Sequence, residues 1–233
     1  MFPARLPIIS QPSAVTAFSN NYSLEFDGTN DFVAVPNSSN LDFGTGDFCW
    51  SFWVNYTTHT NYAGIFTTGY DNSEYRLKFQ TSGQILFMQN ADGDSQVADL
   101  GTNIAGDGWH HILLNRVSGT IYTYLDGSQV DSDVRAGNVN SNGEVFQIAA
   151  NSLAFTLTGN LDEIALWKGT SLSSGQIAAV YNSGVPTDLS GESGLVAYWR
   201  LEEGTGTSTA DSSANSNTGT LTNGAAWSTD VPS

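Results

Sequence analysis

Acidic and amide side chains around glycine turns are the best candidates in this chain for binding a hard divalent cation. The segment Asp27–Asp31 (DGTND) places two aspartates and an asparagine around Gly28. Calcium takes roughly six to eight oxygen ligands, and a glycine-containing turn lets backbone carbonyls join the carboxylates. The alternative is that Asp27 and Asn30 stabilise a hairpin turn through backbone hydrogen bonds. Asp92–Asp94 (DGD) lacks the trailing glutamate of a helix–loop–helix calcium site and predicts only a turn.

Tyrosines beside polar turns could stack on the face of a sugar ring, with amide and carboxylate partners nearby. These tyrosines are Tyr56, Tyr62, Tyr70 and Tyr75. The alternative is that the same rings form cross-strand pairs within a sheet.

No arrangement of residues predicts catalysis. Retaining glycoside hydrolysis needs two carboxyl groups roughly 5–5.5 Å apart, from positions that share one face. Asp162 and Glu163 are adjacent and are expected on opposite faces of a strand, as are Glu202 and Glu203. The neighbours His110 and His111 cannot jointly bind one ion for the same reason. No Ser-His-Asp or cysteine nucleophile pattern is evident, so we predict a protein that is not an enzyme.

The charge balance is strongly acidic, with 23 acidic and 7 basic residues and a net charge of −16. The electric field of this negative charge repels nucleic acid. The acidic residues either keep the protein soluble or bind divalent cations. Cys49 is the single cysteine, which excludes an intrachain disulfide and predicts a buried thiol. The first twenty residues are interrupted by prolines and read as neither a signal peptide nor a membrane span.

Short apolar runs separated by turns predict an all-β protein. The expected strands are Tyr22–Phe26, Phe32–Val35, Phe48–Asn55, Tyr62–Thr67, Glu74–Phe79, Gln84–Gln89, Gln96–Leu100, Trp109–Arg116, Thr120–Leu125, Ser128–Asp133, Glu144–Ala149, Leu161–Lys168, Gly194–Leu201, Thr218–Leu221 and Ala225–Trp227. Val117–Gly119 and Asp126-Gly127 are the expected hairpin turns. Ser173 and Gln176 form a capping box for one short helix that Gly184 can end. The spacing indicates an antiparallel two-sheet jelly-roll sandwich.

Three regions are expected along the chain. Residues 1–20 read as an extended N-terminal arm, because prolines alternate there with apolar residues. Residues 21–190 read as the sandwich. Residues 191–233 are too few to bury a core alone, so their strands should complete the sandwich or pair with a neighbouring subunit.

An ordered set of segments resembles the laminin-G-like branch of the concanavalin-A-like lectin/glucanase superfamily, close to the pentraxins. The segments are Tyr22–Val33, Phe48–Val54, Gly108–Arg116 with Tyr122–Gly127, Gly159–Trp167 and Leu172–Gly184. Gly194–Gly204, with Asp211–Asn217 and Gly219–Leu221, resembles the opening of such a domain, although here it follows the body. That arrangement is similar to chains from tailed-phage virions.

The resemblance implies two sites. A structural calcium ion would be bound by Asp27, Asp31 and Asp162, and Tyr70, Asp71 and Asn72 would correspond to the ligand-binding side of a pentraxin. The family needs a second acidic cluster before the Leu-Asp-Glu strand. Ala149–Ser152 (AANS) has no carboxylate, so a pentraxin-type calcium-dependent site is at most half present, and an ordinary turn at Asp71-Asn72 is the alternative.

Two functions remain open. The first is a non-catalytic virion surface protein, a capsid decoration or fibre component made in the host cytoplasm, which stabilises the particle or attaches to host glycans. Its partners would be other virion proteins or itself, through the arm and the C-terminal strands. The second is a calcium-dependent carbohydrate-binding module of a bacterial cell-surface or secreted protein. Neither function involves a nucleic acid or a membrane.

Overall fold

In the described part of the chain, two antiparallel sheets of eight strands each face each other across an aromatic core. The computed structural model describes residues 18–57, 62–69, 75–80, 84–88, 95–100, 103–150 and 156–233. The strands are β1 (Ser23–Asp27), β2 (Phe32–Val35), β3 (Phe48–Tyr56), β4 (Gly64–Thr68), β5 (Arg76–Phe79), β6 (Gln84–Met88), β7 (Ser95–Asp99), β8 (Trp109–Val117), β9 (Thr120–Leu125), β10 (Ser128–Val134), β11 (Phe146–Ile148), β12 (Thr158–Lys168), β13 (Leu195–Trp199), β14 (Ser208–Thr209), β15 (Gly219–Thr222) and β16 (Ala226–Ser228). The predicted fold class is confirmed.

The sheets differ in strand order. Sheet 1 has the order β10-β9-β8-β3-β12-β1-β16, with β13 paired to the second half of β12. Sheet 2 has the order β14-β15-β2-β11-β4-β5-β6-β7. The chain crosses repeatedly between the two sheets, as in a jelly roll.

Two tight turns fix the register of the hairpins β8–β9 and β9–β10. Val117 pairs with Thr120, so the first turn consists of Ser118 and Gly119 alone, whereas three residues were predicted. Both have positive φ, +48° and +82°, as do Asp126 and Gly127 at +48° and +74°. Positive φ at both central residues is the type I′ turn, whose twist matches the flanking strands.

The core lies between the inner faces of the two sheets. Phe48, Trp50, Phe52 and Val54 alternate along β3 and are all fully buried, as the period of two predicted. Ring centroids of Trp50 lie 4.8 Å from Phe48 and 5.9 Å from Phe66 on the opposite sheet. Burying one such aromatic side chain contributes roughly 2–3 kcal/mol, so this strand is a major source of stability.

One helix, α1 (Ser174–Tyr181), lies on the outer face of sheet 1. The predicted capping box is present, with Ser173 accepting from the Gln176 N–H and Gln176 accepting from the Ser173 N–H. The helix ends earlier than predicted, because Asn182 adopts φ +47° and closes it before Gly184. Ile177 packs with its neighbours over Cys49, which is buried and free, as predicted. No helix in the described ranges is long and apolar enough to cross a membrane.

The C-terminal strands pair inside the chain. β13 pairs with β12, β16 pairs with β1, and β15 pairs with β2. The short strand β14 was not predicted, because its two residues lie in a polar Gly/Ser/Thr stretch. The boundaries at residues 20 and 190 stay predictions, and residues 1–17 lie outside the described part of the chain.

Gly159 is a point where a side chain cannot be accommodated. Its φ is +138°, and an added Cβ would lie 2.0 Å from the Asn55 carbonyl oxygen on β3. We expect Gly159→Ala to lower the free energy of unfolding by about 3 kcal/mol or more, because the backbone of β3 must move. Gly206→Ala is the control, since φ there is +83° but the space is open. Gly206→Ala should lower the free energy of unfolding by about 1 kcal/mol, as measured by urea denaturation. Equal losses would contradict the role given to the β12–β3 contact.

Candidate functional site

The outer faces of the two sheets, which point away from the core, differ in chemistry. On sheet 1 this face is covered by α1 and forms a second apolar cluster with Leu113, Trp167 and Tyr198. On sheet 2 the outer face is polar. One row of directly paired residues crosses it, in the order Thr220, Ala34, Gln147, Thr67 and Arg76. Directly paired residues point to the same side of a sheet, and their strand neighbours, including Val33 and Val35, lie in the core.

A cavity of about 240 Å³ opens on this polar face. Ala34 and Gln147 belong to the outward row, and Phe32 lies on the same side of β2, outside the two core clusters. Gly69, Glu144 and Val145 are the other described residues of the lining. Phe32 is 9% exposed and Gln147 is 4% exposed, so each offers a small accessible surface beside the exposed Glu144. Together these three side chains can contact both the apolar face and the hydroxyl groups of a sugar ring.

The tyrosines named from the sequence are placed differently from one another. Tyr56 stacks on Phe79 with centroids 4.7 Å apart and is buried, and buried Tyr75 donates to the Leu41 carbonyl at 2.7 Å. Neither can form an exposed stacking platform. Tyr62 covers the Lys78 ammonium, with Nζ 4.5 Å from the ring centroid.

The predicted ligand-binding residues Tyr70, Asp71 and Asn72 lie outside the described residues. Gly69, the residue directly before them, lines the cavity. The role of the three side chains stays a prediction.

The three aspartates predicted to bind calcium are not brought together. Asp27 N–H donates to Asp31 Oδ2 at 3.1 Å, and Asp27 Oδ1 accepts from Thr29 N–H at 2.7 Å. Asp27 pairs with Thr158 at one end of the β1–β12 ladder, whereas Asp162 lies four residues further along β12. Within the described ranges, no three Asp, Glu, His or Cys side chains form a group that could hold a metal ion. Calcium at Asp27 and Asp31 alone stays a prediction.

Asp162 and Glu163 share one face, which corrects the expectation of opposite faces. The β12–β3 register shifts between Asp162 and Ala165, and Glu163 has φ +47°, so the strand carries a β-bulge there. Asp162 pairs with Trp53, whose ring stacks on Tyr181 of α1. Glu163 accepts a hydrogen bond from the Tyr198 hydroxyl in the cluster under α1. Both carboxylates therefore lie on the helix side of sheet 1.

The carboxylate pair is enclosed by its own partners. Asp162 accepts from Asn20 Nδ2 and from Glu163 N–H, each at 2.9 Å, and Arg200 Nε lies 3.6 Å from Glu163 Oε1. Burial raises the pKa of Glu163 to about 8. Burial and the nearby Glu163 charge raise the pKa of Asp162 well above its usual range. With exposures of 0% and 2%, these groups have a structural role in this conformation.

A buried serine–histidine pair also lies under the helix. Ser51 Oγ is 2.8 Å from His111 Nε2, but Asp126 bonds His110 Nδ1 and the His111 backbone N–H, not the His111 ring. Burial lowers the pKa of His111 to about 4. Ser51 and His111 are each 1% exposed, so a substrate cannot reach them. The described residues thus contain no working catalytic triad at this position.

Sequence and structure comparisons agree with the fold. A profile of the concanavalin A-like lectin/glucanases superfamily matches residues 27–178. A search of curated protein sequences gives no significant match. A candidate carbohydrate-binding protein from Bacteroides ovatus superposes with TM-score 0.69 at 17% identity, over 92% of this chain and 62% of that chain. The chain therefore spans less than two thirds of that protein's length.

Two further structures are similar over the main part of the chain. A heptameric SAP-like pentraxin from Limulus polyphemus has TM-score 0.54 at 14% identity, over 70% of this chain and 82% of that chain. Domain 4 of AbnA, a GH43 extracellular arabinanase from Geobacillus stearothermophilus, in complex with arabinotriose, has TM-score 0.56 at 16% identity, over 68% and 76%. At such identities the similarity establishes the fold and leaves the ligand open.

Glu163 should make stability depend on pH. The side chain has a pKa of about 8 in the folded chain, compared with the ordinary glutamate pKa of 4.5 that applies to the unfolded chain. Folding therefore takes up a proton at pH values between these two. The free energy of unfolding should fall, by roughly a few kcal/mol, as pH rises from about 4.5 to about 8. Glu163→Gln keeps an acceptor for Tyr198 and removes this titration.

Urea unfolding at about pH 5 and about pH 8.5 tests this expectation. The variant should be close to wild type at the lower pH and more stable than wild type at the higher pH. The exposed Glu192→Gln is the control and should match wild type at both. The same loss for Glu163→Gln at both pH values would contradict the titration.

Proposed function

The chain belongs to the concanavalin A-like lectin/glucanase superfamily, and we propose that it is a non-catalytic carbohydrate-binding module. The observation that carries the proposal is the cavity on the outer face of sheet 2, where Phe32, Glu144 and Gln147 meet. An apolar ring surface beside hydrogen-bonding groups is the chemistry that recognises a sugar.

The contrast between the two outer faces supports this location. The outer face of sheet 1 is occupied by α1, and its carboxylates and histidine are bound to neighbouring side chains and backbone. The cavity on sheet 2 is open and has Glu144 at its exposed edge. Its floor comes from β2 and β11, which are hydrogen-bonded neighbours inside sheet 2, so the sheet pairing positions the groups that a ligand would meet.

The composition of the cavity favours binding without turnover. Glycoside hydrolysis uses a pair of carboxyl groups on either side of the scissile bond. Among the described residues that line the cavity, Glu144 is the single carboxylate. Two of the similar structures support the ligand class, since one is a candidate carbohydrate-binding protein and one contains arabinotriose.

A role on a virion surface is a separate proposal. It was motivated by an apolar N-terminal arm and by C-terminal strands that could pair with a neighbour. The C-terminal strands pair within the chain, so they give this role no support, and the arm lies outside the described residues. A monomer by light scattering would speak against assembly, whereas a stable oligomer lost on removing residues 1–17 would favour it.

Calcium binding at Asp27 and Asp31 is a further proposal. Asp31 is 3% exposed, and burial, together with the Asp27 charge, raises its pKa. A cation there would relieve repulsion between the two carboxylates. Excess calcium should then raise the melting temperature relative to a chelator, and Asp31→Asn should abolish the rise. Identical melting curves of the wild type in calcium and in chelator would remove the proposal.

Glycan binding should depend on the cavity. We expect wild type to bind neutral oligosaccharides on a glycan array, and isothermal calorimetry with arabinotriose to serve as the first quantitative probe. Glu144→Ala and Gln147→Ala should each weaken binding about tenfold, since each removes a hydrogen bond worth about 1.4 kcal/mol.

The matched controls are Glu192→Ala and Gln129→Ala, which change exposed residues of the same types away from the cavity. Both should bind as wild type does. Because Gln147 is buried, its variant is also checked by thermal melting. Loss of binding in the controls, or full binding in both cavity variants, would refute the location.

A further inference from the structure

A second polar groove lies at the end of β2. Its volume is about 280 Å³, and it is lined by Pro36, Asn37 and Ser38 on one side and by residues 215–218 on the other. The two sides are 177 or more positions apart in the sequence. They meet because β2 pairs with β15, with Ala34 opposite Thr220.

The groove lies beyond the cavity on sheet 2, along the direction of β2. Phe32, Ala34 and Pro36 occupy alternate positions, so they follow one another on the outer side of the chain. With a rise of about 3.4 Å per residue, Ala34 and Pro36 are about 7 Å apart. The loop after Val139 borders both spaces, because the Ser141 hydroxyl donates to Asn37 Oδ1 at 3.0 Å, and Glu144 N–H donates to the Ser141 carbonyl at 3.0 Å.

One carboxylate fixes the far wall of the groove. Asp211 accepts from the backbone N–H groups of Tyr198, Ser213 and Asn217 at 2.8–2.9 Å. It also accepts from the Ser213 hydroxyl at 2.9 Å and Asn217 Nδ2 at 3.0 Å. Trp199 Nε1 donates to the Asn217 carbonyl at 2.7 Å. The wall is therefore held in place before any ligand arrives.

The lining chemistry is neutral and can both donate and accept hydrogen bonds. Asn215 and Asn217 donate through Nδ2 to the Val196 carbonyl at 3.0 and 2.9 Å, which leaves their Oδ1 atoms as acceptors. Asn37 accepts through Oδ1, which leaves its Nδ2 as a donor. Ser38, Ser216 and Thr218 add hydroxyl groups. None of the described residues that line the groove is ionisable, although the chain carries a net charge of −16.

We propose that this groove is a second subsite, which binds a neutral sugar residue of the same glycan chain whose neighbouring residue lies in the cavity. The inference rests on the proposed function. Sugar hydroxyl groups donate and accept hydrogen bonds, which matches the mixed amide and hydroxyl lining. No aromatic ring is present among the groove's described lining residues, so the groove adds affinity to a glycan already held in the cavity. The module thus recognises a stretch of glycan rather than one terminal sugar.

Calorimetry with neutral oligosaccharides of increasing length tests the inference. The probes are mono-, di-, tri- and tetrasaccharides of arabinan, xylan and β-1,3-glucan. For wild type we expect affinity to rise about tenfold between the shortest and the longest ligand that binds. Thr218→Trp fills the exposed edge of the groove and should remove this rise while keeping the affinity for the short ligand. Ser212→Trp adds the same bulk on the same loop outside the groove and should behave as wild type.

The failures of the two proposals are distinguishable. A rise with length that survives Thr218→Trp, or equal affinity for every length in wild type, overturns the second subsite and leaves the module intact. Binding restricted to acidic glycans also overturns it, because the groove was assigned a neutral sugar. If no glycan of any length binds to wild type, both proposals fail together.

Discussion

The backbone ladder of β12 is the constraint on which the rest of the sandwich depends. This strand pairs with β3 and β1, and then, beyond its bulge, with β13. The bulge turns two adjacent carboxylates toward the helix side, where their desolvation is costly. Hydrogen bonds from Asn20 and Tyr198, and the guanidinium of Arg200, offset that cost. The central pairing of sheet 1 and the buried acidic pair therefore depend on the same bulged strand.

Local patterns in the sequence predicted the elements well, because strands and tight turns have short-range causes. Alternation along Phe48–Val54, the Asp126-Gly127 turn and the capping box at Ser173 each act within a few residues. The bulge at Glu163 is not visible in the local pattern, because two adjacent carboxylates in an apolar run predict a regular strand with the side chains on opposite faces. The spacing of Asp162 from the other aspartates could not be known without the β1–β12 register, which depends on packing across the whole sheet.

The cavity was not predicted from the sequence for a similar reason. Phe32, Glu144 and Gln147 each occur in or beside an ordinary strand-like run, and only the pairing of β2 with β11 brings them together. The positions of the tyrosines also could not be predicted from the local sequence. Tyr62 and Tyr75 both stand beside polar turns, yet one covers a lysine and the other is in the core. The residue types therefore limited the kinds of binding chemistry that could be expected, and the sheet topology determined where those side chains lie.

The late position of β15 and β16 has a consequence for how the protein is made. Their partners β2 and β1 are among the first strands of the sandwich to leave the ribosome. Paired residues are 186–190 positions apart for β2 and β15, and 201–205 positions apart for β1 and β16. During synthesis both early strands have one open edge, which invites contact between nascent chains. The sandwich can close only after translation of the last strand is finished, so chaperone protection of the growing polypeptide matters more here than in a sandwich whose edges close early.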